Sequence, residues 1–313
     1  MAISKEFQNR WKKHFPEYYK EINSFNQKGI SLFLRVNNIR AKNTLIFQRL
    51  KEKSVLFETI EPFPNMIKIK STSFSLGATN EFFLGYYAIQ GFASQLPVVL
   101  LLHPSLNENL TNLRILDMAA APGGKTCHLA SLIANNDIII AIEKSSKRIP
   151  SLISNISRLG ITNTIVLRGN SIGWTPRLGH FSHILLDAPC SGSGSICRNP
   201  RKSWNREVFE LERYQENQIS LLAAGLKALK EDGLLVYTTC SLEPEENEFV
   251  IEKVLQTEKA SYSLIDMTFF KEKLNPYCQF GPILSDLPNN SCIRLLPSEN
   301  HEGFFIAIMR RER

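Results

Sequence analysis

Two cysteines stand where a nucleophile would be useful. Cys190 lies in Asp187-Ala188-Pro189-Cys190-Ser191-Gly192, and Cys240 in Thr238-Thr239-Cys240-Ser241. Each follows a short apolar run, His183 to Leu186 and Leu234 to Thr238, that reads as a strand. A lone cysteine is ordinarily a small buried hydrophobe. Two at neighbouring strand ends, one within Asp-x-Pro-Cys, suit a different use. A thiolate that adds to C6 of a pyrimidine makes C5 electron-rich enough to take a methyl group. That chemistry needs a nucleophilic thiol, an acidic partner for the activated ring and a proton acceptor. A free thiol is only a few per cent ionised at neutral pH, so a nearby cation is expected, with Lys125 the candidate.

A loop rich in small residues forms the second constellation: Asp117-Met118-Ala119-Ala120-Ala121-Pro122-Gly123-Gly124-Lys125-Thr126. Small residues let a ligand approach the backbone, and the helix start behind them offers unpaired N–H groups. Two ligands compete for it. Ala119 to Thr126 is a degenerate triphosphate loop lacking its first glycine, with Asp187 as the magnesium carboxylate. The alternative is the first loop of an S-adenosylmethionine (AdoMet) site. Glu143 ends the next strand, 26 residues after Asp117. A carboxylate there can accept the ribose hydroxyls of an adenosine, which a triphosphate loop does not need.

These residues need a frame. From Leu113 onward strands alternate with helices: Arg114 to Met118, Ile138 to Ile142, Thr164 to Leu167, His183 to Leu186 and Leu234 to Thr238 are the strands. Helices are predicted near 126–133, up to Arg158, over 206–230 and over 245–256. Ser291 to Leu295 and Gly303 to Met309 read as a closing hairpin. Apolar strands in βαβ order indicate a doubly wound, mostly parallel sheet. Strands one, four and five are neighbours in such a sheet, with their carboxyl ends at the ligand crevice. The expected fold class is therefore α/β and Rossmann-like. Ahead of it, Phe7, Trp11, Phe15, Tyr18 and Ile22 mark one helical face that Pro16 kinks or splits. Strands near Ser31 to Asn37, Leu56 to Ile60 and Met66 to Ile69, with a helix over 43–53, complete a small α+β module. The expected division is 1–103 for this module and 104–313 for the catalytic domain.

The chain has 313 residues, 43 % hydrophobic and 21 % charged, which suits globular domains and excludes wholesale disorder. Its longest apolar run, Leu96 to Leu102, is far below the ~20 residues that span a bilayer. The first residues lack a signal-peptide core, so a cytoplasmic protein without membrane contact is expected. Six cysteines with no CxxC pair or zinc spacing suggest no metal. The formal charge is +7; residues 1–103 carry 14 Lys/Arg against 7 Asp/Glu, and 104–313 carry 23 of each. A basic module beside a neutral one suggests a polyanion partner.

Taken together, the motifs resemble the RNA cytosine-C5 methyltransferases of the RsmB/Nop2/Sun family. The resemblance rests on Leu116 to Thr126, Asp187 to Gly192, and Tyr237 to Leu242 with Glu245-Glu246-Asn247-Glu248. Weaker matches are Leu34-Arg35-Val36-Asn37, Gly85 through Gln90 to Ser94, and Gly303-Phe304-Phe305. It implies that Cys240 is the nucleophile and that Cys190 assists release of the methylated RNA. It implies that Asp187 contacts cytosine and borders AdoMet. Ala119, Ala120, Ala121, Pro122, Gly123, Gly124 and Lys125 then form the methionine-side loop, and Glu143 holds the ribose. Arg148 lies near the cofactor. Asn170 replaces a common Asp beside the adenine, and Glu302 a common Asp before Gly-Phe-Phe. RNA is the implied partner, transfer RNA placed slightly ahead of ribosomal RNA, and the chain is expected to be a monomer. Arg198 to Lys202 is expected to meet the RNA backbone, as are Lys12, Lys13, Arg35, Arg40, Lys51 and Lys53. The alternatives are a P-loop-like NTPase and a non-catalytic RNA-binding protein with a methyltransferase fold.

Overall fold

A computed structural model describes residues 3–107, 110–175, 178, 180–199, 204–258 and 262–312. Its contacts divide the chain into a terminal unit, Met1–Ile30 with Ser171–Arg313, and a middle unit, Ser31–Asn170. These cuts fall at 30/31 and 170/171, whereas the charge change lies at 103/104.

The terminal unit begins with α1 (Lys5–His14) and α2 (Tyr19–Lys28), so the expected helix is split around Pro16. The Ser4 side chain accepts from Phe7 N–H at 3.3 Å and starts α1. Lys12, Lys13 and His14 in its last turn suit the helix dipole. Phe7, Trp11, Phe15 and Ile22 are buried with Ile196, Leu211, Leu242 and Leu296. The aromatic face is core, not a base-stacking platform. That core ties the first 30 residues to the segments that carry the cysteines.

In the middle unit, β1 (Leu32–Val36), α3 (Asn43–Glu52), β2 (Leu56–Ile60), β3 (Phe63–Ser71), α4 (Asn80–Phe83), β4 (Tyr87–Ile89) and α5 (Phe92–Leu101) come first. Their strands form an antiparallel sheet in the order β2-β3-β1-β4. Leu34, Val36, Ile46, Leu50 and Ile67 fill the space between this sheet and α3. The pattern then changes to β5 (Arg114–Asp117), α6 (Gly124–Leu132), β6 (Ile138–Glu143), α7 (Ile149–Leu159) and β7 (Thr164–Arg168). β5, β6 and β7 are parallel, and their register puts Asp117 opposite Ala141 and Glu143 opposite Arg168. Gly160 ends α7 at φ +74°, the left-handed cap that glycine favours.

The terminal unit resumes with α8 (Ser171–Trp174), β8 (Phe181–Asp187), α9 (Glu210–Lys227), β9 (Leu229–Thr239), α10 (Glu248–Glu258), β10 (Tyr262–Leu264), α11 (Thr268–Leu274), β11 (Cys292–Leu295) and β12 (Phe304–Arg311). β8 and β9 run parallel with Asp187 opposite Thr238. β12 lies antiparallel to β9, and β11 pairs with β12 as the expected hairpin. β8 is buried from Phe181 to Leu186, the mark of a strand covered on both faces. β9 starts at Leu229, five residues ahead of the expected strand, and shortens the helix expected over 206–230. β10 and α11, three and seven residues long, are too short for a hydrophobic period to mark them in the sequence. Among the described residues no helix is long and apolar enough to cross a membrane.

Candidate active site

Parallel pairing of β8 with β9 carries Asp187 and the loop after it alongside Thr238 and Thr239. The Ala188 N–H donates to Thr238 O at 2.9 Å and continues the ladder past the end of β8. Cys190 and Cys240 follow as partners: their Sγ atoms are 3.4 Å apart, in hydrogen-bond contact, and both are free thiols. Both side chains are half-buried. The bond to Cys240, and then burial, push the Cys190 thiol well above its usual range. Cys190 therefore stays protonated at neutral pH. The remaining cysteines differ. Burial drives Cys127 to about 11 and Cys197 and Cys292 to about 12, and it raises Cys278 as well.

A buried carboxylate locks the two cysteine loops together. Glu246 accepts from Ser191 N–H at 2.8 Å, from the Ser191 hydroxyl at 2.5 Å, from the Ser241 hydroxyl and from Gln218 Nε2 at 3.1 Å. Each cysteine is thus next to a serine bound to the same acid. Burial raises the Glu246 pKa, and the four donors pull it back. Trp204 Nε1 donates to Ser191 O at 3.1 Å, and Gln218 Nε2 to Pro189 O at 2.9 Å. Beyond Cys240, Glu243 accepts from Trp11 Nε1 at 2.7 Å and Arg10 Nε at 2.9 Å. Glu248 pairs with Arg294, and both are fully buried. The run Glu245 to Glu248 was legible as a motif. Its role as the anchor of both thiols was not, because serine, glutamine and tryptophan donors carry no spacing signal.

The middle unit builds the other constellation. Asp117 Oδ2 accepts from the Thr126 hydroxyl at 2.7 Å and Oδ1 from Ala119 N–H at 3.3 Å, closing the loop at its base. Thr126 is fully buried, so its hydroxyl is not placed to hold magnesium as a triphosphate loop requires. Gly123 sits at φ +101°, and a Cβ there would stand 2.8 Å from Leu152 Cδ1. Glu143 is buried, with Oε2 accepting from Ala121 N–H at 3.1 Å and Oε1 from Ser145 N–H at 2.7 Å. Arg148 donates to Ala121 O and lies 3.8 Å from Glu143 Oε2. Gly169 N–H donates to Glu143 O at 3.0 Å, which places the exposed Asn170 just beyond that strand end. Lys125 is half-buried in the first turn of α6. The structure therefore gathers Ala119 to Lys125, Glu143, Arg148 and Asn170 around the carboxyl ends of β5, β6 and β7. This set fits an adenosine-bearing cofactor. Each Glu143 oxygen accepts one N–H and keeps a lone pair for a ribose hydroxyl.

Some expected RNA contacts are placed otherwise. Arg35 is 1 % exposed and donates to Gln90 Oε1 at 2.8 Å and Ser131 Oγ at 3.1 Å. It is an internal strut and does not face solvent, because β1 is covered on both faces. Arg198 pairs with Glu302 at 2.8 Å. Lys12, Lys13, Arg40, Lys51 and Lys53 are exposed. Pro200, Arg201 and Lys202 lie outside the described residues.

A family model described as 16S rRNA methyltransferase RsmB/F matches residues 99–310. The chain belongs to the RsmB/F methyltransferase family. A methyltransferase homologue of known structure from Pyrococcus horikoshii is 32 % identical, with a TM-score of 0.83 over 99 % of this chain and 95 % of that one. The Rossmann-like α/β fold is thereby established. A mouse 28S rRNA (cytosine-C(5))-methyltransferase is 33 % identical over 89 % of this chain and 35 % of its own length. The ribosomal RNA small subunit methyltransferase F of Vibrio cholerae is 31 % identical over 91 % of this chain and 58 % of its own. The chain thus spans about a third to three fifths of these two curated relatives. The RsmB/F family is AdoMet-dependent.

Proposed function

We propose that the chain is an AdoMet-dependent RNA cytosine-C5 methyltransferase acting through a covalent Cys240–C6 adduct. The observation that carries this reading is the 3.4 Å contact of two free thiols beyond paired strand ends, with Asp187 just before them. The names of the relatives add to it. AdoMet, when bound, supplies the methyl group from its sulfonium; Ala119 to Lys125 take its methionine side, Glu143 its ribose hydroxyls, and Arg148 and Asn170 lie along the same strand ends. Lys125 adds positive charge beside that loop.

Cys240 Sγ bonds to C6 of an unpaired or flipped cytosine. Asp187 holds N3, so the ring's electron density collects at C5. After C5 gains its methyl group, the C5 proton leaves to a base and the S–C6 bond breaks, returning the electron pair to Cys240. Cys190 fits this second half. Its thiol is raised chiefly by the hydrogen bond to Cys240, and that cause disappears once the Cys240 sulfur is bonded to carbon. Cys190 then stands beside the adduct, its Sγ next to the sulfur that must leave.

The relatives are named for ribosomal RNA, which weighs toward that class and against the transfer RNA placed first from the sequence. Bisulfite sequencing of total RNA from cells with and without the gene is the test. A cytosine protected only when the gene is present fixes the reaction, the RNA and the position. Cys240→Ala is expected to lose that protection while retaining AdoMet binding. Protection that survives this substitution refutes the nucleophile assignment.

A further inference from the structure

The segment after Cys190 carries a cation, Arg198, and its backbone is hydrogen-bonded to Cys240. Ser193 to Arg198 form a tight 3-10 stretch. Gly194 N–H donates to Cys240 O at 3.0 Å, and Gly303 N–H donates to Gly194 O at 2.9 Å. Side chains are excluded from this junction. A Cβ on Gly194 would lie 2.5 Å from Gly303 O, and one on Gly303 would lie 2.6 Å from Leu242 Cδ2. Three strands of backbone, at 194, 240 and 303, are therefore fixed against one another.

Arg198 ends the 3-10 stretch, and Glu302 precedes Gly303. Arg198 Nη2 lies 2.8 Å from Glu302 Oε1. Glu302 is fully buried, and no hydroxyl or amide among the described residues donates to either of its oxygens. A buried carboxylate without such donors is costly unless a cation compensates it. The guanidinium supplies that cation. Its side chain is 42 % exposed. Glu302 raises the Arg198 pKa most; the neighbouring Cys240, Cys197 and Asp187 also raise it, against burial. The cation is thus anchored from behind, on the segment whose backbone is hydrogen-bonded to Cys240.

We propose that Arg198, anchored by Glu302, is a positioning cation that favours the thiolate of Cys240. The proposal rests on the reading of Cys240 as the nucleophile. It also assigns Arg198 a task separate from the RNA-backbone contact expected from the sequence, and separate from the cation role expected of Lys125.

The test is the pH profile of Cys240 alkylation by iodoacetamide, with no RNA or AdoMet present. The thiol gives its proton to buffer, and the thiolate displaces iodide as the S–C bond forms. Peptide mass spectrometry separates Cys240 from Cys190 and Cys197, because trypsin cuts at Lys230 and Lys253 around it. Arg198→Gln is expected to move the profile up by about one pH unit, an alkylation rate about tenfold lower at neutral pH. Arg198→Lys keeps the charge and is expected to stay near wild type. In wild type, about 1 M KCl, with a Debye length of about 3 Å, is expected to move the profile the same way. This arm holds even if Arg198→Gln does not fold. A profile unmoved by Arg198→Gln and by salt, or Arg198→Lys behaving as Arg198→Gln, overturns the proposal. Loss of RNA affinity in Arg198→Gln with an unmoved profile assigns the residue to the backbone contact instead. The readout is independent of methylation. If the profile moves while no RNA is methylated, the functional reading fails and the cation stands.

Discussion

In the proposed reaction the two thiols share the labour across one contact. In the resting pair the two sulfurs are 3.4 Å apart in hydrogen-bond contact, and the bond to Cys240, then burial, keep Cys190 protonated. In the proposed reaction, removing Cys190 leaves Cys240 able to attack but takes away the thiol beside the adduct. Cys190→Ala is therefore expected to accumulate a covalent protein–RNA complex, seen as a shifted band on a denaturing gel. A variant that is slow but forms no such band would deny Cys190 its part in release. The two loop glycines separate in the same residue-level way. Gly123 has φ +101° and Leu152 where a side chain would go, whereas a Cβ on Gly124 meets only the Gln90 amide at 3.9 Å. Gly123→Ala is expected to lower the melting temperature, since left-handed backbone alone costs ~1–2 kcal/mol per non-glycine residue. Gly124→Ala is expected to melt close to wild type and, if AdoMet lies against that backbone, to bind it more weakly in calorimetry.

At the level of elements, α1 acts as a brace. Trp11 and Arg10 reach from one helix to Glu243, three residues after Cys240, and Arg10 also meets Glu245 at 2.6 Å. Burial raises Glu243, and the Trp11 donor is the first group to lower it again. Trp11→Phe keeps most of the packing and removes one donor to a buried carboxylate, a loss of ~1–3 kcal/mol. Denaturant unfolding is expected to show it; an unchanged midpoint would mean that Arg10 alone satisfies Glu243. Much of this frame was legible in advance. Hydrophobic period placed the parallel strands and the closing hairpin, and Pro16 marked the split between α1 and α2. The Asp117, Asp187 and Cys240 strand ends followed from the same pattern. The brace was not legible, because the face carrying Phe7, Trp11 and Phe15 predicts burial without naming what it is buried against. Arg35 misled for a related reason: its charge suggested solvent, while the apolar residues either side of it suggested the covered strand that β1 is. β10 has three residues and α11 seven, too short for a period to register.

For the whole molecule the relevant quantities are summed charge and pH. The excess of 14 basic over 7 acidic residues before position 104 survives the burial of Arg35, since Lys12, Lys13, Arg40, Lys51 and Lys53 stay exposed. Reversing these lysines is expected to weaken RNA binding and flatten its dependence on salt. An unchanged slope would place the RNA elsewhere. Stability should fall on mild acidification, and the sign follows from the histidines. Burial lowers His183 from 6.5 to about 4 and holds His128, His301 and His14 down as well. An unfolded chain binds those protons first as pH drops. Their contribution is complete above about 6.5 and, for His183, is lost as pH falls toward about 4, a difference of ~3 kcal/mol across the window. The raised Glu243 and Glu246 act in the opposite sense, with stability present below their unfolded pKa and lost as pH rises through the folded one. Four histidines against two carboxylates leave a net loss between pH 7 and 5. Melting temperatures measured across that range should decline, and His183→Gln should decline less steeply whatever its own melting temperature at pH 7. Parallel slopes for the two proteins would show that His183 takes up its proton without unfolding the strand around it.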